Sequence, residues 1–221
     1  MNVAIIGESS KISQIAFESL VDENHRVEMF GRKNSKFHFD LLNQDYNQLS
    51  QFDMIIFIAH DHRPNRKIQQ LIFRNYAQTL EFLETSGKKS IFLSTMSASA
   101  TNRSKYSEQK RRLESLFTSH NFRIVRLGLV VGASDDKKIL KAFKNISRLA
   151  NLPFFRLCNA SSGPFYTTNL DTVRNWFSRE TFSNGKEVTS IYDVQFGSVS
   201  EFLASIPVSY THLTLPTKRI V

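Results

Sequence analysis

Tyr106 and Lys110 stand one helical turn apart, at the end of the run IFLSTMSASATNRSKYSEQK, residues 91–110. Residues at i and i+4 share one face of a helix. An ammonium beside a phenol favours the phenolate and lowers its pKa. Upstream, the short apolar run 91–93 ends in Ser94 and Thr95. A hydroxyl at a strand end can bind a substrate oxygen. Together these groups can move a proton on or off an alcohol while a cofactor moves the hydride. Thr95 fits the strand-end register best, with Ser94 and Ser97 as alternatives. Taken alone, Tyr-x-x-x-Lys discriminates little, because both residues are common and an exposed helix would show it too.

Such a group needs a frame, and the rest of the chain reads as one. Asn2-Val-Ala-Ile-Ile-Gly7 has the pattern of a buried parallel strand ending in glycine. Ile12, Ile15, Ala16 and Leu20 then recur at helical spacing. Strand, glycine turn and helix open a dinucleotide-binding βαβ unit. Further strands are expected over 25–30, 54–59 and 123–131, and helices over 68–85 and 106–120. The alternation argues for an α/β fold with a doubly wound parallel sheet of Rossmann type. An amphipathic helix is expected over 137–151, starting a small lobe that covers the substrate. Leu152-Pro-Phe-Phe155 would be that lobe's wall.

Several shorter pieces fall in a recognisable order. Gly7 opens a turn that continues Glu-Ser-Ser10-Lys-Ile12-Ser13. Asp40-Leu41 is an acidic-apolar pair, Phe57-Ile-Ala59-His60 a strand end, and Asn75-Tyr-Ala-Gln-Thr79 a mid-helix Asn-x-x-x-Thr. Arg126-Leu-Gly-Leu-Val-Val-Gly132, Pro164-Phe-Tyr-Thr-Thr-Asn-Leu-Asp171 and Ile191-Tyr-Asp193 follow. With Ser94-Thr95 and Tyr106-x-x-x-Lys110, this resembles the short-chain dehydrogenase/reductase superfamily over about residues 1–206. The likeness is to the extended and atypical branch, which contains NAD(P)-dependent nucleotide-sugar epimerases, dehydratases and reductases. It implies Tyr106 as general acid/base, Lys110 as the group that lowers its pKa and holds the nicotinamide ribose, and Thr95 as the ligand of the substrate oxygen. It implies a cofactor site from Gly7, Ser10, Ile12, Ser13, Arg32, Asp40, Leu41, Ala59, Asn75 and Lys110. The implied substrate is a small molecule with a reacting hydroxyl or carbonyl, a nucleotide-linked sugar first, and a homodimer is compatible.

The chain departs from that pattern in places. The family's loop is Gly-x-x-Gly-x-x-Gly, whereas Ser10 and Ser13 fill the second and third glycine positions here. Serine can donate to phosphate oxygens, while Glu8 adds a negative charge nearby. A substituted loop also suits a non-catalytic dinucleotide sensor, and a structural protein on the same fold is a third reading. The second strand ends Met29-Phe30-Gly31-Arg32-Lys33, with two bases and no acid. A carboxylate at that place binds the ribose of NAD, and an arginine accommodates the 2′-phosphate of NADP. NADP is therefore the expected cofactor and NAD the second choice, with Glu28 arguing for NAD if the strand ends earlier.

Composition adds bounds. The 41% hydrophobic and 22% charged content is that of an ordinary soluble protein, and no apolar run reaches membrane-spanning length. The single cysteine, Cys158, excludes an internal disulfide and suits a reducing cytoplasm. The six histidines lack ligand spacing, and His60-Asp-His62 is read as pocket lining, so no metal is expected. The net charge of +9 can attract anions, but no nucleic-acid-binding motif accompanies it. Residues 208–217, VSYTHLTLPT, resemble the translation of a transposon-type sequencing adapter. The expected division is a dinucleotide-binding domain over 1–132, an incomplete substrate lobe with returning elements over 133–206, and a non-native tail over 207–221.

Overall fold

The computed structural model describes residues 1–32, 37–42, 45–59, 65–98, 104–131, 163–179, 181–182, 188–198 and 201–202. The expected helix over 137–151, Lys33, His60-Asp-His62, Cys158 and the tail over 207–221 lie outside these.

Strands alternate with helices from the start: β1 (Asn2–Ile6), α1 (Lys11–Asp22), β2 (Arg26–Gly31), β3 (Phe37–His38) and β4 (Met54–Phe57). Then come α2 (Arg66–Thr85), β5 (Lys89–Thr95), α3 (Lys105–Ser119), β6 (Arg123–Leu127) and β7 (Leu129–Val131). After residues 132–162 follow β8 (Phe165–Asn169), α4 (Leu170–Arg179), β9 (Val188–Ile191) and β10 (Val194–Phe196). Seven strands form one sheet in the order β3-β2-β1-β4-β5-β6-β9. Every pairing in it is parallel, with Ile6 opposite Phe30 and Phe57, and Thr95 opposite Leu127. This is the doubly wound Rossmann-type arrangement.

The parallel sheet follows from what its strands bury. A sheet with helices on both faces needs strands that are apolar on both. Along β1, Val3 and Ile5 face a core with Ile15, Ala16 and Leu20 of α1 and Val173, Trp176 and Phe177 of α4. Ala4 and Ile6 face the opposite core, with Tyr76 and Leu80 of α2 and Leu113 and Phe117 of α3. Phenylalanines dominate this second face. Phe117 stacks on Phe92 at 4.6 Å and meets Phe57 edge-on at 5.4 Å.

The apolar run over 123–131 is two strands rather than the one expected. Gly128 separates β6 from β7, and its N–H is shared between Ile191 O at 3.2 Å and Thr168 Oγ1 at 2.9 Å. A Cβ there would lie 2.8 Å from Thr168 Oγ1 and from the Tyr166 carbonyl. Beyond the break, β7 leaves the main sheet for a small one ordered β10-β8-β7.

The chain divides into two compact units, Met1–Gly132 with Tyr166–Gln195, and Ala133–Phe165 with Phe196–Val221. The first holds the seven-stranded sheet. Within the second, Phe202 packs on Phe165 and Phe196, with ring centroids 4.8 and 5.3 Å apart.

Candidate active site

At the carboxyl end of β1 the chain turns at Gly7, whose φ of +122° suits only glycine. A Cβ there would stand 2.6 Å from the backbone nitrogen of Ala59, just past β4. Gly7 and Glu8 both donate their N–H to Phe30 O, at 2.9 and 3.1 Å, so the turn is clamped to the end of β2 as well. Ser10 caps α1, accepting from Ser13 N at 3.0 Å. Ser13 is buried and donates its hydroxyl to Gly7 O at 2.6 Å. With that hydrogen committed, the 2.7 Å contact between the two hydroxyls is donated by Ser10. Both hydroxyl hydrogens are therefore used within the turn, and neither remains for a phosphate. The backbone does offer donors. The first turn of α1 leaves N–H groups, at Lys11 and Ile12, that no helical carbonyl reaches. A helix N-terminus beyond a close glycine turn fits the pyrophosphate of a nicotinamide dinucleotide.

The remaining cofactor candidates lie around the neighbouring strand ends. Asp40 accepts from Leu42 N at 3.0 Å through its own side chain. The Leu41 carbonyl is held at 3.0 Å by the Asn75 amide of α2. One residue on, the Tyr76 hydroxyl donates to Ala59 O at 3.4 Å. Asn75 and Tyr76 thus tie α2 to the segments after β3 and β4, and Thr79 bonds back to Asn75 O at 3.0 Å. Arg32 is exposed just past β2. Gly31, before it, has the Glu8 side chain lying against its α-carbon, and a Cβ on Gly31 would collide with a Glu8 carboxylate oxygen.

The second group sits at the end of β5. Thr95 Oγ1 and Ser97 Oγ are 3.1 Å apart, and Ser97 N donates to Thr95 Oγ1 at 3.3 Å. Ser94 is buried, and its hydroxyl has no hydrogen-bond partner among the described residues. Ser104 caps α3 through Ser107 N at 3.1 Å, which sets Tyr106 in the first turn and Lys110 in the second. Lys110 is 4% exposed. Its Nζ donates to Leu93 O at 2.9 Å and lies 4.5 Å from the centre of the Phe92 ring. Burial disfavours its ammonium and lowers its pKa to about 8, against an opposing pull from Glu114. Glu114 is itself buried and bidentate to Arg126 of β6, at 2.9 and 2.6 Å, and this bond raises the Arg126 pKa.

Tyr106 behaves differently from the expectation drawn from its spacing. Burial pushes its phenol pKa up, and its 39% exposure limits that rise. The Lys110 ammonium is directed to the Leu93 carbonyl. Gly7, Arg32, Ala59 and Thr95 stand at or just past the carboxyl ends of parallel strands, where ligands of open α/β sheets bind, while Asn75 lies on α2 and Tyr106 and Lys110 on α3. Thr95 ends β5, and Lys110 of α3 reaches that strand through Leu93 O. Spacing had not singled out Glu114 or Tyr76. Glu114 could have been found, since it stands one turn beyond Lys110 on the same helix face. Among the described residues no cluster suits a metal ion, and no helix is long and apolar enough to cross a membrane.

No protein-family model and no curated protein matches the sequence. Solved structures do match. The chain superposes on MoeE5 in complex with UDP-glucose and NAD, with TM-score 0.66 and 15% identity, over 91% of this chain and 79% of that one. It is similar to a short-chain dehydrogenase/reductase superfamily protein of Agrobacterium tumefaciens with bound NAD, at TM-score 0.66 and 11% identity, over 93% and 80%. UDP-glucose 4-epimerase of Thermus thermophilus, complexed with NAD, gives TM-score 0.62 and 16% identity, over 92% and 81%. The chain has the fold that these short-chain dehydrogenase/reductase and epimerase structures share.

Proposed function

We propose that this protein is an NAD(P)-dependent oxidoreductase or epimerase, acting on a hydroxyl or carbonyl of a small molecule. One observation carries the reading. A tight glycine turn at the N-terminus of α1 and a Tyr-x-x-x-Lys helix held against β5 stand at the same edge of one parallel sheet. When bound, a nicotinamide supplies the two-electron step. Gly7 would let the chain approach the pyrophosphate, and the N–H groups of Lys11 and Ile12 would hold it. Tyr106 Oη, kept protonated, delivers a proton to a substrate carbonyl oxygen, and Thr95 Oγ1 orients that oxygen. Lys110 braces α3 against β5 through Leu93 and keeps an ammonium behind the site. Of the dinucleotides, NADP is favoured by Arg32 on composition alone. A nucleotide-linked sugar is the first substrate class, because MoeE5 has been solved with UDP-glucose and with UDP-glucuronic acid, each beside NAD.

A second reading is a dinucleotide sensor without turnover. The closed Ser10–Ser13 turn favours it, since it binds phosphate with fewer donors. The test joins titration of NADH and NADPH, followed by nicotinamide fluorescence, to turnover of UDP-sugars. Under the enzyme reading Tyr106→Phe lowers kcat by about a hundredfold or more and leaves dinucleotide affinity in place. Binding without any turnover by the parent protein selects the sensor, and absence of dinucleotide binding removes both.

A further inference from the structure

The sequence places two bases and no acid at the end of β2, but the fold brings an acid there from elsewhere. The Gly7 turn is clamped to Phe30 O by two N–H groups, and this carries Glu8 over the end of the strand. Its side chain lies on Gly31, with the Glu8 carboxyl carbon 3.4 Å from where a Gly31 Cβ would be. Glycine at 31 is what gives the carboxylate its place, since any larger side chain would displace it. Among the described residues no hydrogen bond or ion pair engages that carboxylate. In folds of this kind the ribose of the adenosine half sits at the end of the second strand, and an acid there accepts from its hydroxyls. Arg32 is exposed beyond the same strand end.

We infer that Glu8 selects the cofactor, accepting from the adenosine ribose hydroxyls of NAD and opposing the 2′-phosphate of NADP. The specificity group is supplied by the glycine turn in place of β2, and Gly31 is its counterpart. A carboxylate fixed at this place meets the extra phosphate with like charge, and Arg32 is left to the edge of the site. This rests on the dinucleotide reading above and reverses the preference that the bases at 32 and 33 suggest.

The test is titration of NADH and NADPH by fluorescence or calorimetry, on the parent protein and on Glu8→Gln, which keeps the shape and removes the charge. The parent should bind NADH at least about tenfold more tightly than NADPH. Glu8→Gln should lose most of that ratio, with NADH weakened and NADPH strengthened, while circular dichroism stays unchanged. Equal affinities, an NADPH preference in the parent, or a ratio that survives in Glu8→Gln overturns the role of Glu8 and leaves the dinucleotide reading standing. Failure of the parent to bind either dinucleotide overturns both. If Glu8→Gln does not fold, the NADH to NADPH ratio of the parent alone decides.

Discussion

Ser13 shows how a residue in a ligand's usual place can serve the fold. Its hydroxyl is buried and bonded to Gly7 O. Ser13→Ala should leave that carbonyl without its donor and cost about 1–2 kcal/mol in urea denaturation. Dinucleotide affinity should change little. A hydroxyl that served phosphate would give the reverse, with stability kept and binding weakened. Lys110 makes a pH-dependent prediction. Its pKa is about 8 in the fold against the ordinary 10.5. Between those values the unfolded chain holds a proton that the folded chain has lost, so stability rises with pH across that window. Below pH 8 both states are protonated, and the cost of burying the ammonium is present in full. Lys110→Met should flatten the rise. The measurement is denaturation from pH 7.5 to 10.5, read as parent minus variant, and equal slopes would count against a buried, charge-strained lysine. The Tyr106 and Lys110 spacing was legible in the sequence because i, i+4 geometry is local. Where the ammonium points was not, because Leu93 O is brought to it only by the packing of α3 on β5.

At the scale of elements, β1, β2, β4, β5 and β6 were legible because each buries apolar residues on both faces, whereas β9 buries only Ile191. β3 is two residues long and leaves no period to read. The break at Gly128 was hidden for another reason: the atoms that require glycine belong to Tyr166 and Thr168, far along the chain. Gly128→Ala should force β8 away from β6 and cost about 1–3 kcal/mol, as overpacking does. An unchanged melting temperature would show that β8 yields freely. Glu114 joins α3 to β6 through Arg126. Glu114→Gln leaves that guanidinium without its anion and should cost about 3 kcal/mol if it behaves as a buried pair, less as Arg126 is part-exposed. It should also lower the Lys110 pKa further, since the Glu114 charge is what opposes its fall.

Over the whole of the first unit, the two faces of the sheet are closed by different stretches of chain. Among the described residues, the face with Phe57, Phe92 and Phe117 is built from within residues 4–124. The opposite face needs Val173, Trp176 and Phe177 to cover Val3, Ile5, Ile15, Ala16 and Leu20. Helix α4 reaches α1 there, and an exposed Arg174–Glu18 ion pair at 2.9 Å adds little to the apolar contact. A fragment ending at residue 132 should therefore hold helical structure yet bind a hydrophobic dye such as ANS strongly, whereas a fragment through residue 191 should not. Equal dye binding would mean that α4 is dispensable to that face.

The central place of β1 also sets a timetable. β1 is made before the strands that flank it, β2 and β4, and α1 beside it waits for a helix made after residue 169. At roughly 5–20 residues per second, that interval lasts about 8–30 seconds. Throughout it the nascent chain carries an uncovered apolar face next to its own glycine turn. Chaperone demand during synthesis should thus fall when α4 emerges, and the end of the sheet that carries the glycine turn becomes firm only then.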